Sequence, residues 1–89
     1  MSEGPEAEVK LVTRAQDALA PHPAEALALC NDHAKRFPKG IVVQECEVIA
    51  VSALVKLGRR DEARARAARF KTRFPGSTSI RRLDVILAE

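Results

Sequence analysis

Apolar residues recur along the chain at helical spacing, in segments that proline and glycine separate. The breaks are the short stretches PHP, FPKG, LGRRD and FPGS, at residues 21–23, 37–40, 57–61 and 74–77. The segments between them have the length of ordinary helices, about 12 to 17 residues. The pattern predicts helices over residues 6–20, 23–37, 42–57 and 61–74, and a fifth that begins after Ser77 or Thr78.

The predicted helices differ in how much of their surface is apolar. The third is apolar almost all round, so we expect it to be the most buried. The others carry a single apolar stripe, which in the fifth consists of Ile80, Leu83 and Leu87. Gly58 follows the third helix and favours a left-handed cap there. The short connections predict antiparallel neighbours.

Length and composition favour an all-α fold. The chain has 89 residues, enough for one small domain, and three phenylalanines are its only Phe, Tyr or Trp residues. Alanine, leucine and valine supply the apolar surface, which suits closely packed helices and does not suit a sandwich or barrel. We expect a disordered tail at residues 1–5 and one helical domain over residues 6–89.

The sequence repeats itself at an offset of 37 residues. Arg36–Pro38 falls on Arg73–Pro75, and Glu25–Ala26 falls on Glu62–Ala63. The second predicted helix therefore recurs as the fourth, and the first recurs as the third and again as the fifth. The prediction is two antiparallel helical hairpins followed by a C-terminal capping helix.

The second hairpin resembles a tetratricopeptide repeat. It has the family's glycine between the two helices at Gly58, the pair Glu62–Ala63 at the start of the second helix, and Pro75 at the family's distance from that alanine. The first hairpin repeats this spacing with Glu25–Ala26 and Pro38. The resemblance covers roughly residues 7 to 88 and implies an α-solenoid. It is closest to the longer repeats of bacterial outer-membrane assembly and other envelope proteins.

The chain departs from the family pattern in several places. Pro21 stands where the first hairpin would have the glycine, and the period of 37 is longer than the family's. Glu47 occupies the position of a large aromatic residue, and Val51 that of a glycine or alanine. We therefore expect the two helices of the second hairpin to lie further apart than is usual.

The resemblance also implies where a partner would bind. In the family, partners lie along the inner wall formed by the first helix of each hairpin. By repeat position, the implied partner-binding residues are Glu8, Leu11, Ala15, Ala18, Glu45, Val48, Ser52 and Val55. This mixed apolar and acidic wall suits a short peptide or a helix of another protein. The implied function is a non-enzymatic protein–protein interaction scaffold, with no cofactor.

Charge is distributed unevenly along the chain. Residues 1–50 carry five basic and eight acidic side chains, a net charge of −3, whereas residues 51–89 carry ten and four, a net charge of +6. The basic patch consists of Arg59, Arg60, Arg64, Arg66, Arg69, Lys71 and Arg73. A solvated helix face is the simplest interpretation. An acidic protein or membrane-surface partner, a nucleic acid, and weak head-to-tail self-association are the alternatives.

Geometry separates these interpretations of the basic patch. Cations that spread around the fourth helix would only solvate it, whereas cations that converge with Arg81 and Arg82 into one strip would favour nucleic acid. No aromatic residues for base stacking alternate with these cations, which argues against nucleic acid.

The remaining chemistry-bearing residues indicate no catalytic or metal site. Cys30 and Cys46 match no metal-binding spacing and are expected to be small buried hydrophobes, although a disulfide between neighbouring helices stays open. His33 takes the place of Phe70 in the repeat, so we expect a partly buried structural histidine. Ser52 lies in an apolar helix without a sequence-adjacent base. The prediction is that the protein is not an enzyme.

The sequence does not determine a compartment. No apolar stretch is long enough for a membrane span, and the polar, acidic N-terminus lacks the order of a signal peptide. We expect a cytoplasmic protein if the chain is complete, and a periplasmic one if it is a fragment of a membrane-anchored or exported protein.

Overall fold

Five helices make up the fold in the computed structural model, which describes residues 4–89. The helices are α1 (Pro5–Ala18), α2 (Pro23–Arg36), α3 (Val43–Lys56), α4 (Arg60–Arg73) and α5 (Ser79–Ala88). The all-α prediction is confirmed, and the helix ends lie within two residues of the predicted ones. Of the predicted tail, residues 1–3 lie outside the described residues, and Pro5 is already the first residue of α1.

Proline and glycine set several of the helix ends. Pro5 and Pro23 occupy the first position of α1 and α2, where a missing N–H costs no hydrogen bond. Gly58 follows α3 with a φ of 76°, a left-handed conformation that favours glycine. At the start of α5, the Ser77 hydroxyl accepts a hydrogen bond from the Ser79 backbone N–H at 3.0 Å.

The core is built around α3, which packs against all four of the other helices. Eight of its residues are buried: Val43, Cys46, Val48, Ile49, Ala50, Val51, Ala53 and Leu54. Such burial explains why its sequence is apolar almost all round. The predicted burial of α3 is confirmed.

The helices stack as two hairpins and a closing helix. The hairpins are α1 with α2 and α3 with α4, and α5 packs against α3 and α4. Helices α2 and α4 have the same length and begin 37 residues apart, as the repeat predicts. Leu83 of α5 is completely buried, so this helix covers the apolar end of the second hairpin.

Candidate functional site

A groove lies between α1, α3 and α5, the odd-numbered helices. Its volume is about 330 Å³, and its floor is apolar, with Val48 and Ile49 buried. The residues that line it are Val12, Thr13, Gln16, Asp17, Glu45, Val48, Ile49, Ser79 and Arg82. Its volume is at the small end of ligand pockets, about 300–1,000 Å³. It therefore has room for the side chains of a partner segment.

The predicted partner-binding residues divide between this groove and the core. On α3, Glu45 and Val48 line the groove, while Ser52 and Val55 are half-buried. On α1, the four predicted residues are all buried: Glu8, Leu11, Ala15 and Ala18. The α1 side chains that face the groove are Val12, Thr13, Gln16 and Asp17.

This difference on α1 follows from the repeat offset. Glu8 and Gln44 occupy equivalent places, because each reaches the connection that leads into the next odd-numbered helix. They lie 36 residues apart, whereas α2 and α4 begin 37 residues apart. One residue turns a helix by about 100°. The residue 37 positions before Val48 is Leu11, which belongs to the core stripe of α1. The residue 36 positions before Val48 is Val12, which lines the groove.

The Glu8 carboxylate joins three parts of the first hairpin in a buried cluster, which we call the Glu8 clasp (Glu8, His33, Ile41 and Val42). Oε1 accepts a hydrogen bond from the Ile41 backbone N–H at 3.0 Å, and Oε2 accepts one from Val42 at 3.1 Å. Oε2 also lies 2.8 Å from His33 Nε2. Glu8 is 3% exposed and His33 is 1% exposed. The clasp therefore fixes α1 to α2 and to the start of α3.

The hydrogen bonds of the clasp stabilise the ionised form of Glu8. Burial by itself would raise the pKa of Glu8, but the hydrogen bonds from Val42, His33 and Ile41 together lower that pKa below its ordinary value. Gly40 makes room for this carboxylate, because a Cβ at position 40 would overlap its atoms. His33 was predicted to be a partly buried structural histidine and is almost completely buried, whereas its acidic partner was not predicted. The signal for it is a histidine in the place where the other hairpin has Phe70.

The basic patch spreads over two sides of α4. Three of its members lie on the side towards α5: Arg60, Arg64 and Lys71. Arg60 donates a hydrogen bond to the Leu87 carbonyl at 3.1 Å, and Lys71 pairs with Asp84 of α5 at 2.7 Å. Arg64 pairs with Asp61 on its own helix. Just before α4, Arg59 donates to both carboxylate oxygens of Glu62.

The other three members of the patch, Arg66, Arg69 and Arg73, lie on the side of α4 towards α2. Arg66 donates to both carboxylate oxygens of Glu47 at 2.9 Å. Arg73 donates to the Pro38 carbonyl, and its guanidinium lies 4.9 Å from the ring centre of Phe74. Among residues 4–89, no hydrogen bond or ion pair is found for Arg69. The patch therefore does not form one continuous strip, and Arg82 lies elsewhere, in the groove.

These three arginines border a second depression, which we call the α2/α4 cleft. Its volume is about 410 Å³, and it is lined by Ala34 of α2, Glu47 of α3, and Arg66, Arg69, Phe70, Arg73 and Phe74. Helix α4 thus has paired cations on the side towards α5, and cations that border a cleft on the side towards α2.

The two cysteines are buried side by side on neighbouring helices. Both Cys30 of α2 and Cys46 of α3 are free and completely buried. Their mutual hydrogen bond, followed by burial, raises the pKa of the Cys30 thiol, which keeps it protonated. Their predicted role as small buried hydrophobes agrees with this position.

Residues 4–89 contain no group of three or more His, Cys, Asp or Glu side chains that could hold a metal ion. None of the helices in this part of the chain is both long and apolar enough to cross a bilayer. No protein-family model, curated protein or solved structure matches this chain. A function for this chain therefore has to be inferred from the groove, the cleft and the charges.

Proposed function

We propose that this protein is a non-enzymatic protein–protein interaction module whose groove binds a peptide or helix of a partner. The observation that carries the proposal is the groove between α1, α3 and α5, which combines a buried apolar floor with exposed polar residues at its edge. Recognition of a partner helix or peptide needs this combination, since apolar side chains supply affinity and polar groups at the edge set the register.

The resemblance to tetratricopeptide repeats supports the same proposal. Two of the three helices that border the groove, α1 and α3, are the first helices of the hairpins, and first helices form the partner-binding side in that family. Because two hairpins give a short wall, we expect modest affinity for a single peptide.

Binding of nucleic acid through α4 is the alternative function. Ion pairs within this chain already engage Arg59, Arg64, Arg66 and Lys71, and Arg60 donates to the Leu87 carbonyl, which together weigh against this alternative. A gel-shift experiment at near-physiological salt tests this alternative. Firm binding to duplex or single-stranded nucleic acid would favour it over binding of a protein partner. Self-assembly predicts a mass that rises with protein concentration in light scattering.

A display selection of random peptides against the immobilised full chain tests the groove. Thr13 and Thr72 form a matched pair, because both are exposed and each hydroxyl donates to the carbonyl four residues before it. Thr13 lines the groove, whereas Thr72 lies on α4. We expect selected peptides to bind the Thr72→Trp variant and to lose binding to the Thr13→Trp variant. Peptides that bind both variants equally would contradict the proposal.

A further inference from the structure

The α2/α4 cleft has more positive charge than the chain's own carboxylates neutralise. Arg66 is matched by Glu47, but Arg73 donates only to a neutral carbonyl, and no partner for Arg69 lies within residues 4–89. The adjoining depression beside Arg73 and Phe74 carries one exposed residue of each charge, Lys39 and Glu45, and so leaves this excess unchanged. The cleft thus keeps cations that could pair with an anion from another molecule.

The spacing of the two arginines suits a single small anion. Arg69 and Arg73 are four residues apart on α4, which places them as neighbours on one side of the helix, with Cβ atoms about 5–6 Å apart. Guanidinium groups bind carboxylates through paired N–H donors. The chain itself contains an example of this geometry, because Arg66 holds Glu47 through two hydrogen bonds of 2.9 Å in the same cleft.

The walls of the cleft add an apolar component. Phe70 is buried and Phe74 is half-buried, and both border the cleft. Their rings lie 5.1 Å apart, and Arg73 covers the ring of Phe74. A ligand with an apolar side chain next to its carboxylate would therefore contact both parts of the site.

We propose that the α2/α4 cleft binds an acidic, partly apolar segment of a partner protein, with a carboxylate held between Arg69 and Arg73. This site lies on a different face from the groove and does not depend on the function proposed for it. The occupant is a protein segment, because the cleft combines few cations with an aromatic wall. A nucleic acid needs many phosphate contacts along a continuous surface.

Fluorescence polarisation with a labelled peptide containing Glu-Leu-Glu-Phe tests this proposal on the full chain. We expect binding that weakens about two- to fivefold with Arg69→Gln or Arg73→Gln at low salt, as for an exposed ion pair. The matched control is Arg64→Gln on the opposite side of the same helix, which we expect to leave binding unchanged. Thermal unfolding followed by circular dichroism checks that each variant is folded.

Four outcomes would overturn the proposal. The first is an equal loss of affinity with Arg64→Gln and Arg69→Gln, which would indicate general charge attraction. The second is equal binding of the same peptide with Gln in place of each Glu. The third is tighter binding of a short single-stranded oligonucleotide than of the peptide, which would assign the cleft to phosphate. Failure to bind any probe would also exclude the site.

Discussion

The loops that follow α2 and α4 begin with the same backbone conformation but are held by different kinds of hydrogen bond. Phe37 ends α2 with φ −132° and ψ 57°, and Phe74 ends α4 with φ −128° and ψ 64°. In each loop the preceding arginine lies over the phenylalanine ring. The first loop is held by the buried Glu8 carboxylate, whereas the second is held by a neutral hydrogen bond of 2.5 Å between Ser77 and Gln44.

The two hairpins therefore share the conformation of this loop more closely than they share the hydrogen bonds that hold it. A buried carboxylate is costly unless hydrogen bonds stabilise its charge, and both oxygens of Glu8 accept hydrogen bonds, from three donors in all. Gln44 carries no charge, so its loop has no such requirement. We therefore expect substitution of Glu8 in the first hairpin to lower the stability of the protein far more than substitution of Gln44 in the second.

The largest expected effect is loss of the Glu8 carboxylate. Glu8→Ala leaves His33 and two backbone N–H groups without their acceptor, so we expect the free energy of unfolding to fall by about 3–5 kcal/mol. Gln44→Ala removes the equivalent neutral contact and should cost about 0.5–1.5 kcal/mol. Urea denaturation measures both. Equal losses for the two variants would contradict the difference between the loops.

We expect a smaller loss of stability when His33 is replaced by phenylalanine, the residue at the equivalent position of the second hairpin. His33→Phe copies Phe70 but removes one of the three donors to the buried carboxylate, so we expect a loss of about 1–3 kcal/mol. A double-mutant cycle with Glu8→Gln should give a coupling energy of at least about 0.5 kcal/mol, since the two side chains are in direct contact. Strictly additive effects would show that the 2.8 Å contact contributes nothing to stability.

Replacement of the loop glycine by alanine should also cost more stability in the first loop than in the second. Gly40→Ala places a Cβ where the Glu8 carboxylate lies, and displacing that group should cost about 1–3 kcal/mol. Gly76→Ala meets no atom within 4 Å and has no positive φ, so its effect should stay within about 0.5 kcal/mol. Comparison of the two denaturation midpoints tests this, and a neutral Gly40→Ala variant would contradict the packing around Glu8.

The smallest expected effect, and the most diagnostic one, is on how the free energy of unfolding falls at acidic pH, which we call the acid limb. Because folding lowers the pKa of Glu8, its stabilisation is complete above the ordinary value of 4.5 and is lost as the pH falls through the lowered folded value. Glu8→Gln should therefore flatten the dependence of the unfolding free energy on pH below 4.5. Glu45→Gln, which changes an exposed carboxyl, is the control. An unchanged acid limb in the Glu8 variant would contradict the lowered pKa.

The fold could be predicted from the sequence because its signals are local. Prolines, glycines and apolar stripes determine the five helices, and the Arg-Phe-Pro repeat relates α2 to α4. The groove could be predicted only in part, since it depends on the rotation of α1. A change from 37 to 36 in the offset turns that helix by about 100° and exchanges Leu11 for Val12. Sequence alone contains no evidence of that rotation.

The Glu8 clasp and the α2/α4 cleft depend on contacts between distant residues. Glu8 accepts a hydrogen bond from Ile41, 33 residues away, and beside the cleft Arg66 of α4 donates one to the Asn31 side chain of α2, 35 residues away. No local pattern encodes such pairs. The clasp had a partial signal in the histidine that replaces Phe70, but a histidine alone does not identify its acceptor.

The most direct test of the proposed function is an NMR titration of the ¹⁵N-labelled chain with a peptide from the display selection. We expect the amide shifts to concentrate on the groove residues of α1, α3 and α5, including Thr13, Gln16, Glu45 and Ser79. Shifts centred on α4 with an unchanged groove would contradict it.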